Sequence, residues 1–281
     1  MSSSRRSFLK KTFIASLGAA FSAPVFSMNG TESYGNKKIK LRFALASDGH
    51  YGQPGTDYVQ GHVNIIKWLN KEHAVRPLDF VIFNGDIVHD NPKLLQEVRT
   101  TYFNKLACPH YATMGNHDHA DSLLWKSVFG HDYNHAFENN GAAFILANTS
   151  DTKGTYLCPD LEFIKSSLEK YRNNKIVFIV FHIPPHKWLP ENTFYAECPE
   201  LIKLFSEYPN IKAVFHGHDH NQDGVFYTGN DLPHFFDAHY GGNWGTEYRG
   251  YRVVEVNEDN SIHTFQVNAS LSPVISSQAI D

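Results

Sequence analysis

Residues 41–50 read Leu-Arg-Phe-Ala-Leu-Ala-Ser-Asp-Gly-His, an apolar run with polar side chains directly after it. The apolar part is typical of a buried β-strand, and Asp48 and His50 follow its end. Further apolar runs that are followed by polar residues cover residues 80–83, 110–114, 142–147, 176–181 and 213–215. The chain is therefore predicted to contain a series of buried strands, most of which carry polar residues at their C-terminal ends.

Apolar residues at helical spacing lie between these predicted strands. They are Val59, Val63 and Ile66, then Leu94, Val98 and Tyr102, then Leu161, Ile164, Leu168 and Tyr171. Strands that alternate with helices indicate an α/β domain. Near the C-terminus, residues 251–256 and 262–267 flank a polar turn, a pattern that predicts an antiparallel hairpin. A chain of 281 residues, 42% of them apolar, is long enough for one large core.

Side chains that can bind metal ions follow five of the predicted strands. They are Asp48 and His50, Asp86, Asn116, His182, and His218 with His220, while His117 and Asp118 directly follow Asn116. In α/β sheets the C-terminal edge is where sites gather, because successive loops meet there on a rigid scaffold. Two Asp, one Asn and four His form a nitrogen and oxygen set without sulfur, which suits Mn, Fe or Zn. Seven ligands exceed what one tetrahedral zinc takes, so we expect two metal ions that share a carboxylate.

The ordered motifs resemble those of the calcineurin-like metallophosphoesterases, whose pattern is DxH, GD, GNH(D/E), an isolated H and GHxH. The corresponding residues here are Asp48-Gly49-His50, Gly85-Asp86, Gly115-Asn116-His117-Asp118, His182 and Gly217-His218-Asp219-His220. The resemblance implies a four-layer α/β/β/α sandwich, in which helices flank two β-sheets, as a single catalytic domain over residues 28–281. It also implies hydrolysis of phosphoric esters with two divalent or trivalent metal ions that activate water.

The same resemblance implies a role for each polar side chain. One metal ion would be bound by Asp48, His50, Asp86 and His220, and the other by Asp86, Asn116, His182 and His218. Asp86 would then bridge the two ions. His117 would act on the leaving group, either as a proton donor or by stabilising its charge. Asp118 would orient that imidazole or raise its pKa.

The N-terminal segment has the order of an export signal. Ser4-Arg5-Arg6-Ser7-Phe8-Leu9-Lys10 precedes a short apolar run over residues 13–26 that is rich in small residues. This pattern resembles the twin-arginine signal of bacteria, so we expect residues 1–27 to be removed and the protein to be periplasmic or secreted. The run falls short of the roughly 20 apolar residues that a membrane span needs, so the mature form is expected to have no span. An amphipathic cytosolic tail is the alternative.

Charge argues against long nucleic acid as a partner. The formal net charge is −4, and residues 1–27 hold four basic residues and no acidic one, so their removal takes it to −8. Duplex nucleic acid is held through its phosphates by Lys and Arg, which a strongly acidic chain does not favour. We therefore expect a small phosphoester as the substrate, and the sequence leaves the oligomeric state open.

Several residues near the motifs lie outside the pattern. We expect the histidines among them to be surface residues or neighbours of ligands: His89, His119, His186, His216 and His239. Loop aromatics could stack on a base or an apolar leaving group, although ordinary packing is the commoner role: Trp188, Phe194, Tyr195, Tyr240 and Trp244. Cys108, Cys158 and Cys198 form no CxxC pair, and we expect them to act as buried small hydrophobes rather than in a disulfide.

Three functions remain open on these observations. The first is a phosphodiesterase for small diesters, with cyclic nucleotides favoured by chain length and by the His-x-Pro-Pro element at residues 182–185. Ile183 weakens that branch, because a second histidine is expected at its position. A phosphomonoesterase that scavenges phosphate is the alternative. A non-catalytic metal-binding scaffold is the third, and the complete set of motifs argues against it.

Overall fold

The computed structural model describes residues 38–271 and 274–280. The predicted export signal, residues 1–27, lies outside these residues. In chain order the elements are β1 (Ile39–Ala46), α1 (Tyr58–Val75), β2 (Phe80–Asn84), α2 (Leu95–Thr101), β3 (His110–Thr113), α3 (Ser122–Phe129), β4 (His135–Asn139), β5 (Ala142–Leu146), α4 (Leu161–Lys170), β6 (Ile176–Val180), α5 (Pro199–Phe205), β7 (Ile211–His216), β8 (Val225–Thr228), β9 (Leu232–Phe236), β10 (Gly250–Asn257), β11 (Ile262–Asn268) and β12 (Val274–Ile280).

The strands form two six-stranded mixed sheets. The first has the order β12-β11-β10-β1-β2-β3, in which β1, β2 and β3 are parallel and β10 to β12 are antiparallel. The second has the order β4-β5-β6-β7-β9-β8, with a parallel centre and an antiparallel strand at each edge. The predicted C-terminal hairpin is the β10–β11 pair. All the strands expected from the apolar runs are present.

An apolar layer separates the two sheets. On β1, Leu41 and Phe43 face this layer while Ala44 packs on the opposite side, as the two-residue period of a strand requires. The layer is rich in phenylalanine: Phe43, Phe80, Phe144, Phe178 and Phe215 are all at most 1% exposed. Helices α1 to α3 cover the outer face of the first sheet, and α4 and α5 cover that of the second. The predicted four-layer α/β/β/α sandwich is therefore confirmed.

The buried face of α1 differs from the prediction. Val59 and Val63 are 46% and 45% exposed, whereas Ile65 and Leu69 are fully buried. His62 is fully buried on this face, where an apolar residue would be expected. Burial is tolerated because its Nδ1–H donates to the carbonyl oxygen of Tyr58, one turn earlier, at 2.9 Å. A buried histidine whose polar atom is satisfied inside the helix cannot be recognised from hydrophobic periodicity.

Several short elements were not predicted from the sequence. They are β4, β8, β9, β12, α3 and α5, which have between four and eight residues each. So few positions do not establish a period, and three of the four strands lie at sheet edges. Among the described residues, no helix is both long enough and apolar enough to cross a membrane.

A disulfide joins Cys158 to Cys198. The expectation that these cysteines act as separate small hydrophobes is therefore wrong, although Cys108 is a free thiol. Cys158 lies in the loop before α4, and Cys198 directly precedes α5. Their separation of 40 residues carries no local sequence signal, because only the fold brings the two loops together.

Candidate metal centre

The five motifs meet where the C-terminal ends of the two sheets come together. The first sheet contributes the loops after β1, β2 and β3, and the second contributes the loops after β6 and β7. The structure brings the seven predicted ligands into this one region and divides their acidic and imidazole groups into two buried clusters.

The first cluster consists of Asp48, His50 and His220, whose ligand atoms all lie within 4.8 Å of one another. Nε2 of His220 is 3.0 Å from Oδ1 of Asp48 and 3.1 Å from Nε2 of His50. All three side chains are at most 2% exposed. Polar atoms that converge in a buried space need a partner, and a cation is one that suits a carboxylate and two imidazoles.

The second cluster consists of Asp86, His182 and His218. Nε2 of His182 is 3.1 Å from Oδ2 of Asp86. Oδ1 of Asn116 and Nε2 of His218 are buried, and neither has a hydrogen-bond partner in the part of the chain that the structure describes. A buried acceptor without a partner is costly, so these two atoms also fit a metal ion as their missing partner.

Asp86 lies between the two clusters. Its Oδ2 is 3.1 Å from Nε2 of His182 in the second cluster and 3.7 Å from Nε2 of His50 in the first. Its Oδ1 accepts the backbone N–H of His117 at 2.8 Å, which connects it to the loop that carries Asn116. Asp48 also approaches both clusters, because its Oδ1 is 3.0 Å from Nε2 of His220 and 3.8 Å from Nε2 of His182. That Asp86 is the bridge therefore stays a prediction.

The backbone of the site adopts unusual conformations. Asp48, His50, Asp86 and His218 all have positive φ, between 46° and 67°. Such φ values are uncommon outside glycine and persist only where the surrounding structure fixes them. Gly115 allows the close approach, because a Cβ at this position would lie 2.2 Å from the Asp86 backbone and carboxylate.

Hydrogen bonds at the outer nitrogens orient the imidazoles. Nδ1–H of His182 donates to the carbonyl oxygen of Asn84 at 2.7 Å, and Nδ1–H of His220 donates to that of Trp244 at 3.3 Å. Nδ1 of His50 is 3.0 Å from Nδ1 of His89. Because Nδ1 of His182 and of His220 donates to a backbone carbonyl, Nε2 is the nitrogen of these two rings that is left to bind a metal ion, which is the arrangement found in histidines that bind metals.

The electrostatics of the site favour bound positive charge. Burial lowers the pKa of both His50 and His218 to about 3, so these rings are neutral at neutral pH. Burial would raise the pKa of Asp48 and Asp86, but the neighbouring histidines outweigh it and keep both carboxylates ionised. Burial would lower the pKa of His182, but the two carboxylates raise it to about 10. Cations bind ionised carboxylates and neutral imidazoles, so a metal ion at the second cluster would have to displace the proton of His182.

His117 lies beside the clusters and is oriented by Asp90 rather than by Asp118. Its Nδ1–H donates to Oδ1 of Asp90 at 2.6 Å. The oxygens of Asp118 instead accept the backbone N–H groups of Val88 and Gly115, at 2.9 and 2.8 Å, so Asp118 braces the loops. Burial would lower the pKa of His117, but the charges of Asp86 and Asp90 outweigh it and raise that pKa above its ordinary value.

Asp90 and His89 were not identified as functional from the sequence. Both lie in the loop that also carries Asp86, and this shared loop is the signal that could have pointed to them. His89 stacks on His117 with ring centroids 4.7 Å apart, besides its contact with His50. The expectation that His89 lies next to a predicted ligand fits this position.

The remaining histidines outside the motifs occupy varied places. His119 contacts Asp90 at 3.1 Å, and the buried His239 stacks on His220 with centroids 4.4 Å apart. His186 is partly exposed and pairs with a glutamate. His216 is fully buried in the second sheet, where it bonds His234, so its side chain is neither on the surface nor in the two clusters.

Aromatic rings border both clusters. Trp244 lies parallel to the His220 ring at 4.3 Å, on the side of the first cluster. Tyr156 and Phe194 approach the His218 ring edge to face, at 4.8 and 5.7 Å, on the side of the second. Trp188 and Tyr240 instead pack against interior rings, as ordinary loop packing predicts.

Comparison with known proteins agrees with these motifs. Residues 41–222, well over half of the chain, match the family model of the calcineurin-like phosphoesterases. A 3′,5′-cyclic-nucleotide phosphodiesterase of Nostoc sp. is 26% identical over 201 residues, which cover 66% of this chain and 74% of that protein. A probable cyclic nucleotide phosphodiesterase of Pseudoalteromonas sp. is 26% identical over 251 residues, which cover 83% of this chain and 94% of that one.

Solved structures show the same fold at low sequence identity. A dimetal phosphatase of Danio rerio superposes with a TM-score of 0.69 and 12% identity, over 86% of this chain and 99% of that one. A purple acid phosphatase from yellow lupin gives a TM-score of 0.66 and 14% identity, over 85% of this chain and 53% of that one. At these identities the likeness establishes the fold and no more.

Metal binding at the two clusters predicts a thermal shift that depends on Asp86. Mn²⁺ at about 100 times its Kd should add about 2.7 kcal/mol to the free energy of unfolding and raise the midpoint of thermal unfolding by several degrees. Asp86→Asn should lose most of this shift, because the carboxylate lies between both clusters.

Asp132→Asn is the matched control. The Asp132 side chain is exposed, and its carboxylate pairs with Lys126 at 3.0 Å rather than with any predicted ligand. Differential scanning fluorimetry of the metal-free proteins with added Mn²⁺ makes the comparison. Equal shifts in both variants would mean that Mn²⁺ binds elsewhere.

Proposed function

Because the chain belongs to the calcineurin-like phosphoesterase family, whose members hydrolyse phosphoric esters, we propose that it is a phosphodiesterase for small diesters. Asp48, His50, Asp86 and His220 would hold one metal ion, and Asp86, Asn116, His182 and His218 the other. The observation that carries this proposal is the Asp86 carboxylate, which contacts imidazoles of both clusters. When bound, the ions would lower the pKa of a water molecule and neutralise charge on the phosphoryl oxygens.

The proposed reaction also needs a group that acts on the leaving oxygen, and we assign this role to His117. Asp90 accepts the Nδ1–H of His117, so Nε2 is the ring nitrogen that can meet the ester. The Asp90 carboxylate, 2.6 Å from Nδ1, favours the imidazolium form of His117, which donates a proton or stabilises the departing oxygen. Asp90 is a positioning residue in this account, because it acts through His117.

The choice of small diesters, and of cyclic nucleotides among them, has weaker support than the reaction class. The names of the two bacterial relatives favour cyclic nucleotides. The acidic chain disfavours long nucleic acid. Ile183 stands where a second histidine was expected. Its side chain is fully buried, and its backbone N–H donates to the hydroxyl of Thr149. If the protein prefers monoesters, a phosphomonoesterase replaces this proposal.

Hydrolysis assays test the proposed function directly. The metal-loaded protein should cleave bis-p-nitrophenyl phosphate and a 3′,5′-cyclic nucleotide in preference to mono-p-nitrophenyl phosphate, and a chelator should abolish turnover. Asp86→Ala and His117→Ala should each lower kcat by about 10²-fold or more. Preference for the monoester would replace the diesterase with a monoesterase. Absence of turnover with Mn, Fe, Zn or Co would favour a scaffold.

Replacement of Asp90 should have an effect that depends on the leaving group. In Asp90→Asn the imidazole loses its ionic partner, so proton donation weakens. We expect a loss in kcat of about tenfold or more for a cyclic nucleotide, whose alkoxide needs a proton, and a smaller loss for p-nitrophenolate. Equal losses for both substrates would show that the role of Asp90 is only structural. Asp118→Asn is not a suitable control, because it disturbs the loops.

We propose that the protein is exported, with residues 1–27 as a twin-arginine signal. The Cys158–Cys198 disulfide supports this location, because disulfides persist in oxidising compartments such as the periplasm. In a bacterial host, the full chain should lose its N-terminal segment and fractionate with the periplasm. A variant with Arg5→Lys and Arg6→Lys keeps the charge and should stay in the cytoplasm. Equal fractionation of both chains would contradict twin-arginine export.

A further inference from the structure

Tyr156 and Phe194 form a pair of rings next to the second cluster that neither the core nor the proposed chemistry uses. Their ring centroids lie 4.8 and 5.7 Å from that of His218, and both rings stand nearly perpendicular to it. Phe194 is 42% exposed, and Tyr156 is partly buried. Neither ring is a member of the three hydrophobic cores of the described residues. Exposed aromatic area beside a reaction site is a feature of ligand binding.

Tyr156 is carried by a closed turn after β5. The backbone N–H of Leu157 donates to the carbonyl oxygen of Thr149 at 2.8 Å, and Ser150 pairs with Tyr156 in an antiparallel bridge. The hydroxyl of Thr149 accepts the backbone N–H of Ile183, next to the ligand His182. The backbone at Tyr156 is therefore held in a fixed place relative to the second cluster.

Phe194 is carried by a second loop, which is closed at its base. The backbone N–H groups of Ala196 and Cys198 donate to the carbonyl oxygens of Pro184 and Pro185, at 2.9 and 3.0 Å. Compact loops whose ends are close frequently carry binding residues.

Asn192 connects the tip of this loop to the metal-binding motif. Its side-chain oxygen accepts the backbone N–H of Phe194 at 2.6 Å, and its side-chain nitrogen donates to Asp219 at 2.7 Å. Asp219 lies between His218 and His220 in sequence. The backbone at Phe194 is thus attached to the metal-binding motif through Asn192.

The Cys158–Cys198 disulfide joins the two loops. Cys158 follows Tyr156 by two residues, and Cys198 follows Phe194 by four. Cys158 is exposed, so the bond lies at the surface and is accessible to reductant. The covalent link restrains the separation of the two loops, and with it the relative positions of the two rings.

We propose that Tyr156 and Phe194 form a nucleobase-binding surface that is fixed by the Cys158–Cys198 disulfide. This inference rests on the proposed phosphodiesterase function and specifies its substrate as a diester that carries a base. A base stacks on aromatic rings through its flat face, with little dependence on base identity. The ester phosphate would lie at the two clusters while the base contacts the rings beside His218.

The test compares two substrates that share the same reacting ester. Adenosine 3′,5′-cyclic phosphate carries a base, and 1-deoxyribose 3′,5′-cyclic phosphate carries none. In Phe194→Ala the ratio of kcat/KM for the first substrate to that for the second should fall about tenfold, mainly through KM. Tyr227→Ala is the matched control, because Tyr227 is 48% exposed on β8 and should leave the ratio unchanged. An unchanged ratio in Phe194→Ala overturns the proposal.

The disulfide is tested with the double variant Cys158→Ser, Cys198→Ser. Loosening the two loops should lower the same ratio about as much as Phe194→Ala does. Cys108→Ser, which removes the free thiol, should leave it unchanged. A normal ratio in the double variant would show that the disulfide does not fix the base-binding surface.

Calorimetric binding of adenosine 5′-monophosphate separates this inference from the proposed function. If the wild-type protein cleaves neither cyclic substrate, the diesterase proposal fails while nucleotide binding can still be measured. About tenfold weaker binding by Phe194→Ala, with inorganic phosphate binding equal to wild type, would then support the base-binding surface. Equal affinity of the variant and wild type for the nucleotide would overturn it.

Discussion

The arrangement of the site depends on the Asp86 carboxylate, which lies close to imidazoles from both sheets at once. His50 follows β1 in the first sheet, and His182 follows β6 in the second. Both rings approach the same oxygen of Asp86. This is possible because the C-terminal ends of two parallel strand groups are held together by one apolar layer. Phe43 contacts Phe144 and Phe178 across that layer with centroids 5.0 and 5.3 Å apart, which joins the two sheets.

The closeness of these groups also explains the backbone of the site. Four of the predicted ligands have positive φ, and Gly115 passes so close to Asp86 that any side chain would clash. Such conformations cost free energy and are retained where function requires them. The unsatisfied polar atoms of Asn116 and His218 are a second cost at the same place. A bound cation would offset the repulsion between the convergent carboxylates and would be the missing partner of the unpaired acceptors.

The sequence predicted the parts of this arrangement that are local. An apolar run followed by polar residues identified the strands after which Asp48 and Asp86 stand, and the layer order followed from the resemblance. Contacts between loops were not predictable in the same way. The pairing of Asp90 with His117 joins the loops after β2 and β3, and the disulfide joins two loops 40 residues apart. The motif did not predict the partners of Asp118, because its carboxylate accepts backbone N–H groups and not the N–H of the neighbouring imidazole.

Anomalous diffraction from crystals grown with Mn²⁺ would show whether two metal ions share Asp86, since it locates metal ions without reference to activity. We expect two anomalous peaks per chain, about 3.5–4 Å apart, with the Asp86 carboxylate in contact with both. The first peak would also contact Asp48, His50 and His220, and the second Asn116, His182 and His218. A single peak, or two peaks that do not share Asp86, would rule out a two-metal centre bridged by this carboxylate.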